Sequence, residues 1–226
     1  MDHTTTTDFN TNINHTTSIS FNTDTNPVYP VLSIESSEQL NQCPKFLIDQ
    51  YKWPKEKEVQ AHGQMALLKG YGLLISMTAI EENPLTTYTE DNDPVYRDSA
   101  MEAFLNFAAG DLKVGYFNFE MNSYGALLSG FGPVGNRKRV KEMTELAALC
   151  TAKKEKDSWN ILLKVPMELI CDVYKIPALK PGDQFTCNFY KISEDPSIEH
   201  YGSFAPITNQ NPNFHLPQFF ANAKIM

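Results

Sequence analysis

No lysine or arginine occurs in this chain before Lys45. A secretory signal needs a basic n-region and a transit peptide needs arginines, so neither is expected and the location read from the sequence is cytoplasmic. Long apolar runs are missing too. None approaches the ~18 residues of a membrane-spanning helix, and no membrane partner is expected. Cysteine is scarce and scattered: Cys43, Cys150, Cys171 and Cys187 form no CxxC pair and no metal-like spacing. They read as reduced, buried thiols. The histidines at positions 3, 15, 62, 200 and 215 stand apart, and the chain contains neither HExxH nor GxSxG, the local signatures of zinc proteases and many serine hydrolases. Positive charge is also short. Lys and Arg number 19 against 27 Asp and Glu, for a net charge of -8 and a pI of about 5.1. General binding to nucleic acid is not expected of such a surface.

What remains is rich in hydrophobic (42%) and aromatic (12%) residues, enough over 226 residues for a sizeable core. Residues 1–27 hold nine Thr and five Asn with almost no apolar periodicity and read as a disordered tail. Residues 28–226 read as one domain. Alternation marks the strands, because successive side chains point to opposite faces. Gly72–Ile80 sets Leu73, Ile75, Met77 and Ala79 against Ser76 and Thr78, and Trp159, Ile161, Leu163 and Val165 alternate likewise. Phe185, Cys187 and Phe189 share one side of Gln184–Ile192. Composition favours a short helix over Glu142–Leu149, and an early proline favours another over Pro166–Tyr174. The stretch His200–Met226, rich in Pro, Asn and aromatics, is expected to wrap the sheets. Many short strands with turn punctuation predict an all-β protein, an antiparallel β-sandwich with one or two short helices.

Val95–Gly132 carries the most information. Met101, Ala103, Leu105 and Phe107 are apolar at odd positions, as are Phe117, Phe119 and Met121. Both runs therefore bury one face, and Glu102, Phe104, Tyr116, Asn118, Glu120 and Asn122 share the other. Gly110-Asp111 supplies turn chemistry between them. Pairing Phe107 with Gly115 sets Glu102 opposite Glu120. Like charges across a ladder destabilise it, so a cation or a hydrogen-bonding group is expected between them. Arg97, or an arginine of the basic loop Arg137-Lys138-Arg139, could serve.

Two further motifs have plain explanations. Gly130-Phe131-Gly132-Pro133-Val134-Gly135 matches GxGxxG, but Pro133 lacks the N–H that phosphate would need and the chain lacks βαβ alternation. It reads as a glycine-rich β-turn. Asp91 and Asp93 offer hard oxygen ligands suited to calcium without EF-hand spacing, and turn chemistry explains them equally.

Five ordered segments, VYRDSAMEAFLNF (95–107), YFNFEMNSYGALLSGFG (116–132), CNFYK (187–191), HYGSFAPI (200–207) and FHLPQFF (214–220), resemble the family 9-like carbohydrate-binding proteins. The resemblance runs from about Trp53 to the C-terminus. It implies a β-sandwich of the kind shared with related sugar- or haem-binding domains. It also implies two aromatic rings that hold a terminal sugar while Glu, Arg and Asn side chains bond its hydroxyls. Tyr96, six residues before the shared glutamate, falls where the first ring stands, and Glu102 matches that glutamate. Asn118-Phe119-Glu120 stands where the modules carry Arg-x-Asn, so this chain loses a cation and gains an acid. Phe204, in a Gly-Ser-aromatic segment, is the candidate for the second ring. Structural calcium in the modules points to Asp91 and Asp93 as ligands.

The function expected is therefore a non-catalytic domain that binds a mono- or oligosaccharide on the face of Tyr96, Glu102, Asn118, Glu120 and Asn122. Tyr96 and Phe204 would stack, and Arg97 or a basic-loop arginine would neutralise the acids. Two alternatives stay open. A glycan-active enzyme would use Glu102 and Glu120 as paired carboxylates, with a raised pKa in an enclosed cleft. A haem-binding relative would need His200, His215 or a methionine as axial ligand.

Overall fold

The computed structural model describes residues 17–19, 28–53, 58–108 and 111–226. The expected tail thus falls outside the described residues except at 17–19, and so does Gly110 of the expected turn. Within that tail, Ser18–Ile19 forms a short strand, β1, beside Lys45–Ile48 (β3). The other strands before the central hairpin are Tyr29–Ile34 (β2), Ala61–Leu68 (β4) and Gly72–Ala79 (β5). The hairpin and its neighbours are Ala100–Asn106 (β6), Tyr116–Asn122 (β7), Leu127–Gly132 (β8) and Lys138–Arg139 (β9). Leu149–Lys154 (β10), Trp159–Pro166 (β11), Gln184–Ser193 (β12), His200–Ser203 (β13) and Ala221–Ile225 (β14) follow.

These strands form one curled sheet ordered β10-β11-β5-β4-β2-β14-β12-β6-β7-β8-β9, with β3 on β4, β1 on β3 and β13 on β12. The sheet is mixed, which corrects the purely antiparallel expectation. Strand β2 runs parallel to both neighbours, β4 and β14, and β1 runs parallel to β3. Alternation reports which face a residue takes, not which distant strand lies beside it, so parallel pairing across long connections was invisible.

Curling brings β4, β5 and β11 over β6, β7 and β12 with the main core between them. Met65, Leu73, Ile75, Met77, Ile161 and Leu163 meet Met101, Leu105, Phe117, Phe119 and Phe185 there. Phe46 stacks on Phe189 with ring centroids 3.7 Å apart. Each such fully buried side chain contributes about 1.5–3 kcal/mol by leaving water. Helix α1, Met167–Tyr174, follows Pro166 and ends at Lys175 in a left-handed conformation (φ 56°). Its Tyr174 hydroxyl donates to the Leu105 and Gly115 carbonyls, each at 3.1 Å, and so ties down the loop end of the β6–β7 hairpin.

The helix expected over Glu142–Leu149 does not form. Val140–Glu142 makes one 3-10 turn, and Leu149 begins β10, which pairs along its whole length with β11. Residues 143–148 take neither helix nor strand and are mostly exposed, so a weak helical preference does not suffice without a face to bury. The GxGxxG stretch is the end of β8 and its turn into antiparallel β9. Gly132 takes φ 138°, and a Cβ there would lie 2.3 Å from the Asn136 carbonyl oxygen. Among the described residues no helix is long and apolar enough to cross a membrane.

A buried polar cluster bridges the two halves at one end. Lys191 projects from the core side of β12, donates to Ser99 Oγ at 2.6 Å, and lies 3.3 Å from Glu81 Oε2 and 2.8 Å from His200 Nε2. Ser99 Oγ and Trp159 Nε1 also donate to Glu81 Oε2. Beside it, Asp98 accepts the Thr87 and Tyr88 N–H groups and the Asn122 amide. Asp98 and Ser99 thus anchor the loop before β6.

Candidate functional site

The outer face of β6, β7 and β12 carries the expected polar row, and the register is the expected one: Glu102 pairs with Glu120 and Phe104 with Asn118. This face is not open to water. Phe104, Tyr116, Tyr190, Ile207, Phe214 and Phe220 form a second apolar cluster as the stretch 205–220 folds over half of it. The uncovered half is a cavity of about 630 Å³. Its floor is Glu102, Asn118, Glu120, Leu128, Gly130 and Ile192. Arg137, Lys138, Arg139 and Glu142 form one wall, and Tyr201 with Pro212–His215 forms another, with Tyr96 and Glu194 between.

The cation expected near the acids comes from the basic loop. Arg137 bends back so that its guanidinium carbon lies 4.1 Å from the Tyr116 ring centroid. It donates to the Gly132 carbonyl at 2.6 Å, the Tyr116 carbonyl at 3.0 Å and the Asn118 amide oxygen. Asn118 then donates to Glu120 Oε1 at 2.7 Å. The guanidinium therefore orients Asn118, and Asn118 orients Glu120. Gly130 makes room for this, since a Cβ there would sit 2.4 Å from the Asn118 amide oxygen. The opposite wall is tied in by the Tyr116 hydroxyl, 2.8 Å from His215 Nδ1.

Burial governs the charges. It pushes the Glu120 carboxyl up to about 7, against the lowering pull of Asn118, Arg139 and Arg137. Burial, then the charges of Glu120 and Glu194, raise Glu102 well above the ordinary carboxylate range, with Lys191 opposing. Burial and the neighbouring Arg137 hold His215 down at about 4. Glu120 Oε2 is buried without a hydrogen-bond partner among the described residues.

Of the residues read from the sequence, Tyr96, Glu102, Asn118 and Glu120 line this cavity. The other three do not. Asn122 is fully buried, donating to the Tyr88 carbonyl and to Asp98. Arg97 is exposed, and its charge acts on Glu194 instead of the acid pair. Phe204 is the clearest correction: it is fully buried in the main core, packed against Tyr29, Phe46 and Phe189. The next strand residues on the cavity side place Tyr201 there, because Tyr201 pairs with Ile192 and Tyr190 with Glu102. Tyr201, Phe214 and His215 were missed as cavity rings. The register of β13 on β12 would have found the first, and nothing local signals the others.

The two cofactor expectations do not fit these residues. Asp91 spends Oδ1 on the Leu127 N–H at 2.9 Å, and no group of three or more His, Cys, Asp or Glu side chains suited to a metal ion occurs among the described residues. Asp91 and Asp93 are turn residues here. For haem, His200 engages both ring nitrogens, with Lys191 and the Ile198 carbonyl. His215 faces a cavity floored by carboxyls and an amide, not the apolar slot that a porphyrin requires.

A mostly β domain with an aromatic-walled, polar-floored cavity on one sheet face has the form of a binding module. The chain belongs to carbohydrate-binding family 9, whose model matches residues 35–225. A candidate carbohydrate-binding protein from Bacteroides uniformis shares the fold, with TM-score 0.72 and 20% identity over 93% of this chain and 99% of that one. A family 9 carbohydrate-binding module from Caldicellulosiruptor kristjanssonii, solved with glucose, gives TM-score 0.59 and 11% identity over 87% and 95% of the two chains. A structure of such a module from the same organism with cellotriose gives TM-score 0.59 and 12% identity over 87% and 93%. Among curated proteins, none matches the chain.

Proposed function

We propose that this chain is a non-catalytic carbohydrate-binding domain and that the cavity over Glu102 and Glu120 receives the end of a mono- or oligosaccharide. The observation that carries this reading is the composition of the cavity: Tyr96, Tyr201 and Phe214 rings beside carboxyl and amide groups, in about 630 Å³. Sugars present apolar C–H faces that stack on rings, and hydroxyls that need directional partners. Glu120 Oε2, buried and unpartnered, waits for such a donor. Family membership and relatives solved with glucose and cellotriose support the same assignment. Calorimetric titration with a panel of mono- and disaccharides tests it. Wild type should bind at least one sugar, and Tyr96→Ala and Glu102→Gln should each weaken it about tenfold or more, about 1.4 kcal/mol. Equal heats from all three proteins would reject the site.

One observation favours a second reading, glycan hydrolysis: the Glu120 carboxyl raised to about 7 inside a cleft. A general acid has this property. Hydrolysis also requires two carboxyls flanking a scissile bond, about 5–10 Å apart. Glu102 and Glu120 are directly paired on the same floor. Incubation with aryl glycosides decides: release of the aryl group that Glu120→Gln abolishes would establish the enzyme.

A further inference from the structure

Two buried carboxyls face each other across β6 and β7, and among the described residues no cation is hydrogen-bonded to either. Two of the nearby cations are committed elsewhere, while Arg139 and the exposed Lys138 stand on the cavity wall. Lys191 is held by Ser99, Glu81 and His200 on the core side of β12. Arg137 spends its donors on Gly132, Tyr116 and Asn118. Arg139 lowers the Glu120 carboxyl by its charge and makes no side-chain hydrogen bond to it. Among the described residues the one direct bond to the pair is from the Asn118 amide, which is neutral. Glu120 Oε2 meanwhile is buried, unpartnered and part of the cavity floor.

A ligand can complete this arrangement in two ways. A neutral hydroxyl offers one donor hydrogen and leaves the pair's charge uncompensated, so the pair must then keep a proton. A protonated amine offers three donor hydrogens and a positive charge, enough to bridge both carboxyls at once. Opposite charge in a desolvated cavity is worth far more than at a surface. We propose that Glu102 and Glu120 form an ammonium subsite, and that the cavity prefers a sugar ring carrying a protonated amine to the same ring carrying a hydroxyl. This deepens the carbohydrate reading of the site and rests on it. Glu142 and Glu194 also line the cavity and set negative charge against that of Arg137, Lys138 and Arg139 on its wall, so the preference rests on the direct contact with the pair.

The test is calorimetric titration near neutral pH with glucose, galactose and mannose, each beside its 2-amino and 2-acetamido counterparts. The ring, its size and its remaining hydroxyls stay constant, while the acetamido form removes the charge. The expected result is at least one amino sugar bound about tenfold tighter than both of its neutral partners. In Glu120→Gln the amine and hydroxyl forms should bind with affinities equal to within about twofold, both weaker than in the wild type, and Glu102→Gln should do the same if the first variant fails to fold. Equal affinity for amine and hydroxyl forms, or tighter binding of the hydroxyl form, overturns the ammonium subsite and leaves the carbohydrate reading standing. A preference that survives both substitutions overturns its assignment to this pair. Binding of none of the nine sugars overturns the ammonium subsite, and the carbohydrate reading then stands or falls on the disaccharides of its own panel.

Discussion

Lys191 has no exposed surface, and its ammonium is paired with Glu81 while Ser99 and His200 crowd it. Removing one partner of a buried pair strands the other charge, so Lys191→Met should cost about 3–5 kcal/mol, read from urea unfolding. The double variant Glu81→Gln/Lys191→Met should recover part of that loss. Glu120 allows a second prediction at this scale. Its pKa is raised from 4.5 to about 7, so the folded chain keeps a proton that the unfolded chain releases. That contribution is complete below pH 4.5 and is lost as the pH rises through about 7. His215 has the opposite sign, because its pKa is lowered from 6.5 to about 4 and its contribution disappears as the pH falls through that window. The two slopes oppose one another in mild acid, and above pH 6.5 that of His215 has ended while that of Glu120 runs on to about 7, with Glu194, also raised by burial, acting in the same sense. Thermal unfolding of the wild type should therefore worsen as the pH rises from 6.5, and Glu120→Gln should flatten the decline. The acid pair itself was legible, because a two-residue period and one turn suffice to set Glu102 against Glu120. Arg137 was legible only as one of several basic residues, since its choice depends on how the loop after β8 bends back.

At the scale of the element, β8 shows how a missing side chain builds the site. A methyl group at Gly130 would displace the Asn118 amide, and with it the bonds from Arg137 and to Glu120. Gly130→Ala should destabilise by about 1–3 kcal/mol through overpacking and weaken sugar binding, measured by unfolding and titration. Gly130→Ala/Asn118→Ala should regain stability and not binding. Elsewhere β11 was readable because it buries one face and alternates throughout, whereas β12 shows the same period in its apolar residues although both its faces are covered. Glu142–Leu149 was misread because helical composition alone does not make a helix: residues 143–148 are irregular and mostly exposed, and only Leu149 joins β10. Phe204 was misplaced for another reason. One residue of shift along a strand exchanges its faces, and only the pairing of β13 with β12 puts Tyr201 in the cavity and Phe204 beyond it in the core.

For the molecule as a whole, β2 and β14 hold the curled sheet together. Their pairing, Tyr29 with Ala223 and Val31 with Ile225, joins the half that contains β4, β5 and β11 to the half that carries the cavity. Removing residues 221–226 leaves β2 and β12 each short of a neighbour and opens the core between them. The expected outcome is loss of cooperative unfolding and of near-ultraviolet circular dichroism, with aggregation on gel filtration. This architecture was the least legible part, since nothing local in Tyr29–Ile34 says that its neighbour lies at Ala221–Ile225. The same pairing also sets a timetable. Contacts so remote in sequence are slow to form, because a long loop must be closed before they give anything back. A chain made from its N-terminus carries an unpaired β2 edge until Ala221–Ile225 has been synthesised, so its main hazard falls during translation. A chain interrupted anywhere before Ala221 would be left with one open, sticky seam along β2.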